Sequence, residues 1–282
     1  MRTAFVRDTP TGLFSRHRGG GIEFQRLLSG PRGREDTFEM SIIHIAKGYS
    51  TPRHHHNFDQ LRLGLSGTFN YARGRDIGTG DVLYVPEGTW YGPHRNEDAA
   101  ELLLIQYGGN AGSGFLTYDE IAEGFQRLES RGSFANGIFR PASDGDPDGA
   151  RNQDGYEAIW EAVRGTPVTY PAARYHEPIL IHPAAFEWVP VPDAPGVREK
   201  NLGVFGERRN EVRMLHLAAG ASVKAGTPGS VELWFVVEGQ VQAGDDRLAD
   251  RDALCVEPDD GRVELTALAG STIFGTVLPG FG

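Results

Sequence analysis

The feature that most constrains the fold is an internal repeat: residues 39–69 align without a gap on residues 211–241, an offset of 172. Glu39-Met-Ser-Ile-Ile-His44-Ile-Ala-Lys-Gly48 answers Glu211-Val-Arg-Met-Leu-His216-Leu-Ala-Ala-Gly220, with the glutamate, histidine, alanine and glycine identical and the apolar positions kept. Self-similarity at a fixed offset marks two copies of one structural unit. Each copy holds short β-rich runs, such as Glu101-Leu-Leu-Leu-Ile-Gln-Tyr107 and Val231-Glu-Leu-Trp-Phe-Val-Val237, separated by glycine-rich turns. That pattern predicts an all-β fold of two double-sheet barrels.

The division follows: residues 1–115 form the first barrel, 176–282 the second, and 116–175 a linker. In the linker, Thr117-Tyr-Asp-Glu120 has the capping-box pattern and opens a helix to about Ser130, and a second short helix covers Tyr156 to Val163. Between them lies Ser143-Asp-Gly-Asp-Pro-Asp-Gly149, an acidic loop without the closing glutamate of a calcium-binding loop, read as a solvated connection.

Of 282 residues, 39% are hydrophobic and 23% charged, with a formal net charge of −10. An acidic chain of this kind is a poor match for nucleic acid, whose phosphates call for basic patches. The N-terminus carries no apolar run of signal-peptide length, and no window approaches the ~18 apolar residues that span a bilayer. One cysteine, Cys255, excludes an intrachain disulfide and a thiolate zinc cage. The expectation is a cytoplasmic protein that binds neither nucleic acid nor membrane.

The copies differ where chemistry would sit. The first has His54, His55, His56 and Gln60; the second has Gly226, Thr227, Pro228 and Glu232 at those positions. On an extended strand His54 and His56 point to one side, because side chains alternate with period two. Neutral imidazoles with one oxygen donor suit Zn, Fe, Ni, Cu or Mn.

The stretch Gly48, His54, His56, Gln60, Gly67 resembles the first motif of the cupin superfamily, Gly-x5-His-x-His-x3-Glu-x6-Gly, with Gln60 in place of glutamate. Gly80, Pro86 and Gly88 match the second motif, whose histidine position holds Tyr91, with His94 three residues further on. The resemblance implies one divalent metal ion per chain, iron first and zinc, nickel or manganese as alternatives, held by His54, His56, Gln60 and a third side chain. His94 is the favoured third ligand, re-aimed by a bulge at Gly92 and Pro93, with Tyr91 as the alternative. The second copy keeps the fold without the ligands, so the chain resembles a bicupin with one degenerate barrel.

Arg62 shares the face of Gln60 and is either a clamp on a substrate carboxylate or enolate, or part of an internal salt bridge to Asp59 or Glu101. Trp90, Tyr91, Phe69 and Tyr71 are candidate cavity walls or core. Tyr91 and Arg62 are the candidate catalytic residues. His55 falls on the opposite side of the strand and reads as packing or surface, and His44, repeated as His216, reads as structural, as does Glu232.

The resemblance implies a metal-dependent enzyme acting on a small oxygenated organic molecule, with a dioxygenase ranked first. A non-oxidative isomerase, lyase or cyclase and a non-catalytic small-molecule binder are the alternatives. The second barrel is expected to stabilise the first, within the chain or by building a homodimer.

Overall fold

The computed structural model describes residues 1–14, 21–142 and 152–281. The acidic loop 143–149 lies outside the described residues. Two seven-stranded antiparallel sheets dominate the fold. The first runs in the order Ile179–Ile181, Val82–Val85, Asp59–Gly67, Ala100–Tyr107, Phe38–Ile45, Ile22–Ser29, Thr11–Phe14. The second runs Arg2–Ala4, Ala253–Val256, Glu232–Glu238, Ser271–Val277, Asn210–Leu217, Val197–Phe205, Val189–Pro190. Shorter strands face each sheet and close it into a barrel, so the all-β, two-barrel reading holds.

The barrels exchange strands. Arg2–Ala4, the first strand of the chain, pairs with Ala253–Val256 of the second barrel, while Ile179–Ile181 pairs with Val82–Val85 of the first. Each exchanged strand supplies backbone donors and acceptors to a sheet edge that would otherwise be open.

Period-two alternation gives each strand of the first sheet two jobs. On Asp59–Gly67, Gln60 and Arg62 face the barrel interior, and Leu61 and Leu63 face the second barrel. On Ala100–Tyr107, Leu102 and Leu104 are interior, and Leu103, Ile105 and Tyr107 join the other barrel. The inter-barrel layer therefore merges Met40, Ile42, Leu61 and Leu103 with Met214, Leu233, Phe235 and Phe274 in one continuous apolar core. The face of the first barrel that needed covering is covered from within the chain.

The interiors differ. The second barrel is filled by Leu215, Leu217, Trp234, Val236, Leu254 and Ile273. Its Glu232 is paired with Arg213 at 2.8 Å and accepts from Gly226 N and Thr227 Oγ1. The first barrel keeps an open cavity.

The segment 116–175 packs on the first barrel. Helix α1 (Tyr118–Glu129) starts at a complete capping box, with Thr117 accepting from Glu120 N and Glu120 accepting from Thr117 N. Helix α2 (Gly155–Arg164) is capped by Asp154 and ends at Gly165 in the left-handed region. The helices form a cluster of their own with Phe58, Phe115 and the hairpin Gly132–Ala135, Ile138–Pro141. Among the described residues, no helix is long and apolar enough to cross a membrane.

Candidate metal centre and substrate cavity

The Tyr91 hydroxyl is the hub of the first barrel. His54 Nε2 and His56 Nε2 each lie 2.9 Å from Tyr91 Oη, Gln60 Nε2 donates to it at 3.1 Å and Arg62 Nη2 at 3.3 Å. The convergence has two sources. Asp59–Gly67 aims Gln60 and Arg62 inward, and the bridge between His54 and Tyr91 joins the histidine loop to the second-motif loop. Gly67, at φ +69°, ends that strand where a Cβ would meet the Ala99 carbonyl oxygen at 2.5 Å, so the turn requires glycine.

Backbone carbonyls set the histidine tautomers. Nδ1 of His54 is 2.8 Å from the Pro52 carbonyl oxygen, which only accepts, so Nδ1 carries the proton and the Nε2 lone pair faces Tyr91. His94 Nδ1 stands in the same relation to the Asn70 carbonyl oxygen at 2.9 Å, which leaves Nε2 as its lone-pair nitrogen. This is the arrangement that orients metal-ligating histidines, the second ring nitrogen being held by a carbonyl. The His94 ring lies 5.5 Å from that of His54, and the His54 and His56 rings are 5.0 Å apart. Tyr91 and His94, three residues apart, both line the cavity, because the chain turns between them at Gly92, φ +84°.

Gln60 is turned by Arg62. Arg62 Nη2 donates to Gln60 Oε1 at 2.9 Å, and an arginine only donates, so the amide nitrogen rather than the oxygen faces the hub. Among the described residues, no three His, Cys, Asp or Glu side chains group as a metal cage, because a phenol and an amide stand beside the histidine pair. The donor chemistry still fits one divalent ion. The Nε2 atoms of His54 and His56 point at one spot, and the His94 imidazole, of the same tautomer as His54, lies alongside.

The cavity measures about 300 Å³. Its polar end is the hub, and its walls are apolar: Phe24, Phe58 and Leu104 from the barrel, and Ile121, Phe125 and Tyr156 from the helical segment. The linker thus builds part of the site, which the sequence reading missed. The signal was present: Tyr118, Ile121, Ala122 and Phe125 recur at i, i+3, i+4, i+7 on one face of α1, and all four line the cavity. Gln106 is a further lining residue that no motif marked, and it accepts from Tyr118 Oη at 3.1 Å.

Other candidates sit elsewhere. Trp90, considered as a cavity wall, is 46% exposed and stacks on His55 at 4.0 Å, with Tyr170 on the other face of that imidazole at 3.9 Å. Phe69 lines the cavity, and Tyr71 is buried core. His44 bonds Glu101 through Nδ1 at 3.0 Å, whereas His216 lies 3.4 Å from Thr272 Oγ1. Asp59 is occupied behind the site, accepting from Tyr84 Oη, Glu87 N and Asn110 Nδ2.

Residues 41–106, which contain every residue of the hub, match the family model of the cupin domain. The chain has the two-barrel cupin fold. Solved structures of this fold align over nearly all of it. A Nostoc punctiforme protein provisionally named a dioxygenase is 12% identical, with 99% of this chain and 83% of that one covered and a TM-score of 0.64. HEPD of Streptomyces albus, with its substrate 2-hydroxyethylphosphonate and Fe(II) bound, is 15% identical over 99% and 76% with a TM-score of 0.59. A deletion variant of the oxalate decarboxylase of Bacillus subtilis is 15% identical over 99% and 77% with a TM-score of 0.56. No curated protein matches at a significant level. Identities this low establish the cupin architecture.

Proposed function

We propose that this bicupin is a metal-dependent enzyme acting on a small oxygenated organic molecule in its N-terminal barrel. The observation that carries the reading is the convergence of His54 Nε2 and His56 Nε2 on one point at the closed end of an apolar cavity. His54 and His56 would hold the ion with His94 as the third imidazole, and Gln60, its oxygen engaged by Arg62, serves as a hydrogen-bond donor beside them. When bound, the ion supplies Lewis acidity and, if it is iron, the redox capacity for dioxygen chemistry.

The chain's own residues supply the proton chemistry. With no ion bound, the Tyr91 hydroxyl donates to the Nε2 lone pair of His54 while accepting from Arg62 and Gln60; with that lone pair given to an ion, the Tyr91 proton is left to face the cavity. Held by these two donors at the polar end of the cavity, the Tyr91 hydroxyl is placed to exchange a proton with a bound substrate. The walls from α1 and α2 exclude water and hold the apolar body of the substrate.

Dioxygenase is the first reading, supported by the Fe(II) of the S. albus structure. Non-oxidative chemistry is the second, favoured by the proton-bearing Tyr91 at the hub and by an amide where most cupins place a carboxylate. Metal analysis of untagged protein, combined with oxygen uptake on candidate substrates, separates the two. Iron with oxygen consumption supports the first, and zinc, nickel or manganese with turnover under anaerobic conditions supports the second. Absence of stoichiometric metal would overturn both.

A further inference from the structure

We infer that the N-terminal cavity takes an organic anion, a small carboxylate with an apolar body, and that Arg62 is the residue that selects it. The inference rests on the reading of this cavity as the substrate site.

Arg62 is 6% exposed and lines the cavity. Its Nη2 is used by Gln60 Oε1 and Tyr91 Oη, and its guanidinium lies over the rings of Phe69 and Tyr91, at 5.0 and 5.3 Å from their centroids. Its Nε and Nη1 are buried and have no hydrogen-bond acceptor. Among the described residues Arg62 forms no ion pair. The two carboxylates within sequence reach are taken. Asp59 serves Tyr84, Asn110 and Glu87 N, and Glu101 serves Ser66, Arg251 and His44. Among the described residues, no aspartate or glutamate lines the cavity.

The second barrel offers a comparison at a different strand position, Arg213 aligning with Ser41. Arg213 also lies over an interior aromatic ring, 5.0 Å from the centroid of Trp234, and it is paired with Glu232 at 2.8 Å. A guanidinium packed on a ring in the second barrel is thus met by a carboxylate, whereas among the described residues Arg62 is met by none. A buried charge without a counter-ion costs several kcal/mol, and donors left without acceptors add to that cost. A ligand carboxylate would supply the charge and the acceptors together. The cavity volume of about 300 Å³ and its walls of Phe24, Phe58, Phe115 and Phe125 suit a single ring or a short branched chain attached to that carboxylate.

The test is ligand binding to EDTA-dialysed protein by calorimetry, with benzoate and cinnamate as probes and benzamide and cinnamamide as neutral isosteres. The carboxylates bind about tenfold or more tightly than the amides to the wild-type protein. Arg62→Met, which keeps the length and loses the charge, abolishes that preference while its melting temperature stays within about 3 °C of wild type. Equal affinity for acid and amide, failure of every carboxylate to bind the wild type, or a preference that survives in Arg62→Met overturns the inference. A fall of more than about 8 °C in the variant also overturns it, because Arg62 would then be a structural residue. Metal content measured on the same wild-type preparation before dialysis keeps the two readings apart. Carboxylate preference without bound metal sinks the metalloenzyme and leaves the anion site, and metal without the preference does the reverse.

Discussion

Trp234 occupies in the C-terminal barrel the position that Arg62 occupies in the N-terminal one. Each follows the same alignment offset, and their cross-strand neighbours are Gly275 and Leu104 respectively. A Cβ on Gly275 would meet the Trp234 ring at 2.3 Å. The indole therefore packs into the interior of the second barrel because glycine makes room for it.

Gly275→Ala should therefore overpack the second barrel and cost about 1–3 kcal/mol, read as a lower urea midpoint at unchanged slope. Metal content and cavity binding in the first barrel should not change. A variant as stable as wild type would show that Trp234 has space elsewhere.

His54→Ala and His56→Ala should each yield a folded protein that has lost its bound metal, since both Nε2 atoms face the hub and neither ring belongs to the apolar core between the barrels. Elemental analysis and far-ultraviolet circular dichroism check the two halves of that statement. Stoichiometric metal in the double variant would refute the proposed centre.

Tyr91→Phe removes one hydroxyl and keeps the ring that packs against His54 at 4.4 Å. Turnover should fall by about 10²–10⁴-fold, the contribution of a positioned general acid or base, with metal still bound. Loss of metal in this variant would instead make the phenol oxygen a ligand.

Two buried carboxyls behind the site should make stability depend on pH. Burial, with the neighbouring Asp59 charge, pushes Glu87 up to about 7, and burial pushes Asp59 up to about 6. Both exceed their unfolded values of about 4.3 and 3.9, so the folded state holds more protons across that interval. Their contribution is complete below about pH 4 and is lost as pH rises through 6 to 7. Glu87→Gln should thus show a smaller fall in unfolding free energy between pH 5 and 7.5 than wild type, by on the order of 1–2 kcal/mol. Parallel profiles for the two proteins would contradict this.

Phe125→Ala should weaken substrate or probe binding by about tenfold through lost apolar contact, with little effect on metal content. Phe125 lines the cavity from α1, and its ring stacks on Phe134 at 4.6 Å. Unchanged affinity would mean that the helical segment is a cover with no role in selection.

Much of this was legible in the chain. The offset repeat and its turn glycines gave two barrels, period two placed Gln60 and Arg62 inward with His54 and His56 close by, and the capping box at Thr117 and Glu120 located α1 within a residue at each end. Other relationships could not be read locally. The exchange of Arg2–Ala4 with Ile179–Ile181 joins residues about 250 and 100 positions apart in the chain, and no local propensity encodes such pairings. The same holds for α1, whose apolar face was readable as a pattern but whose partner was not.

The sequence by itself determined the architecture and the kinds of donor available, because hydrophobic periodicity and turn chemistry act over a few residues. The tertiary structure decided what those donors do: it set the Tyr91 hydroxyl between two imidazoles, turned the Gln60 amide by way of Arg62, and left Arg62 without a carboxylate. Those outcomes depend on hydrogen-bond directions and charge pairings among residues that only the closed barrel brings within 3–4 Å of each other.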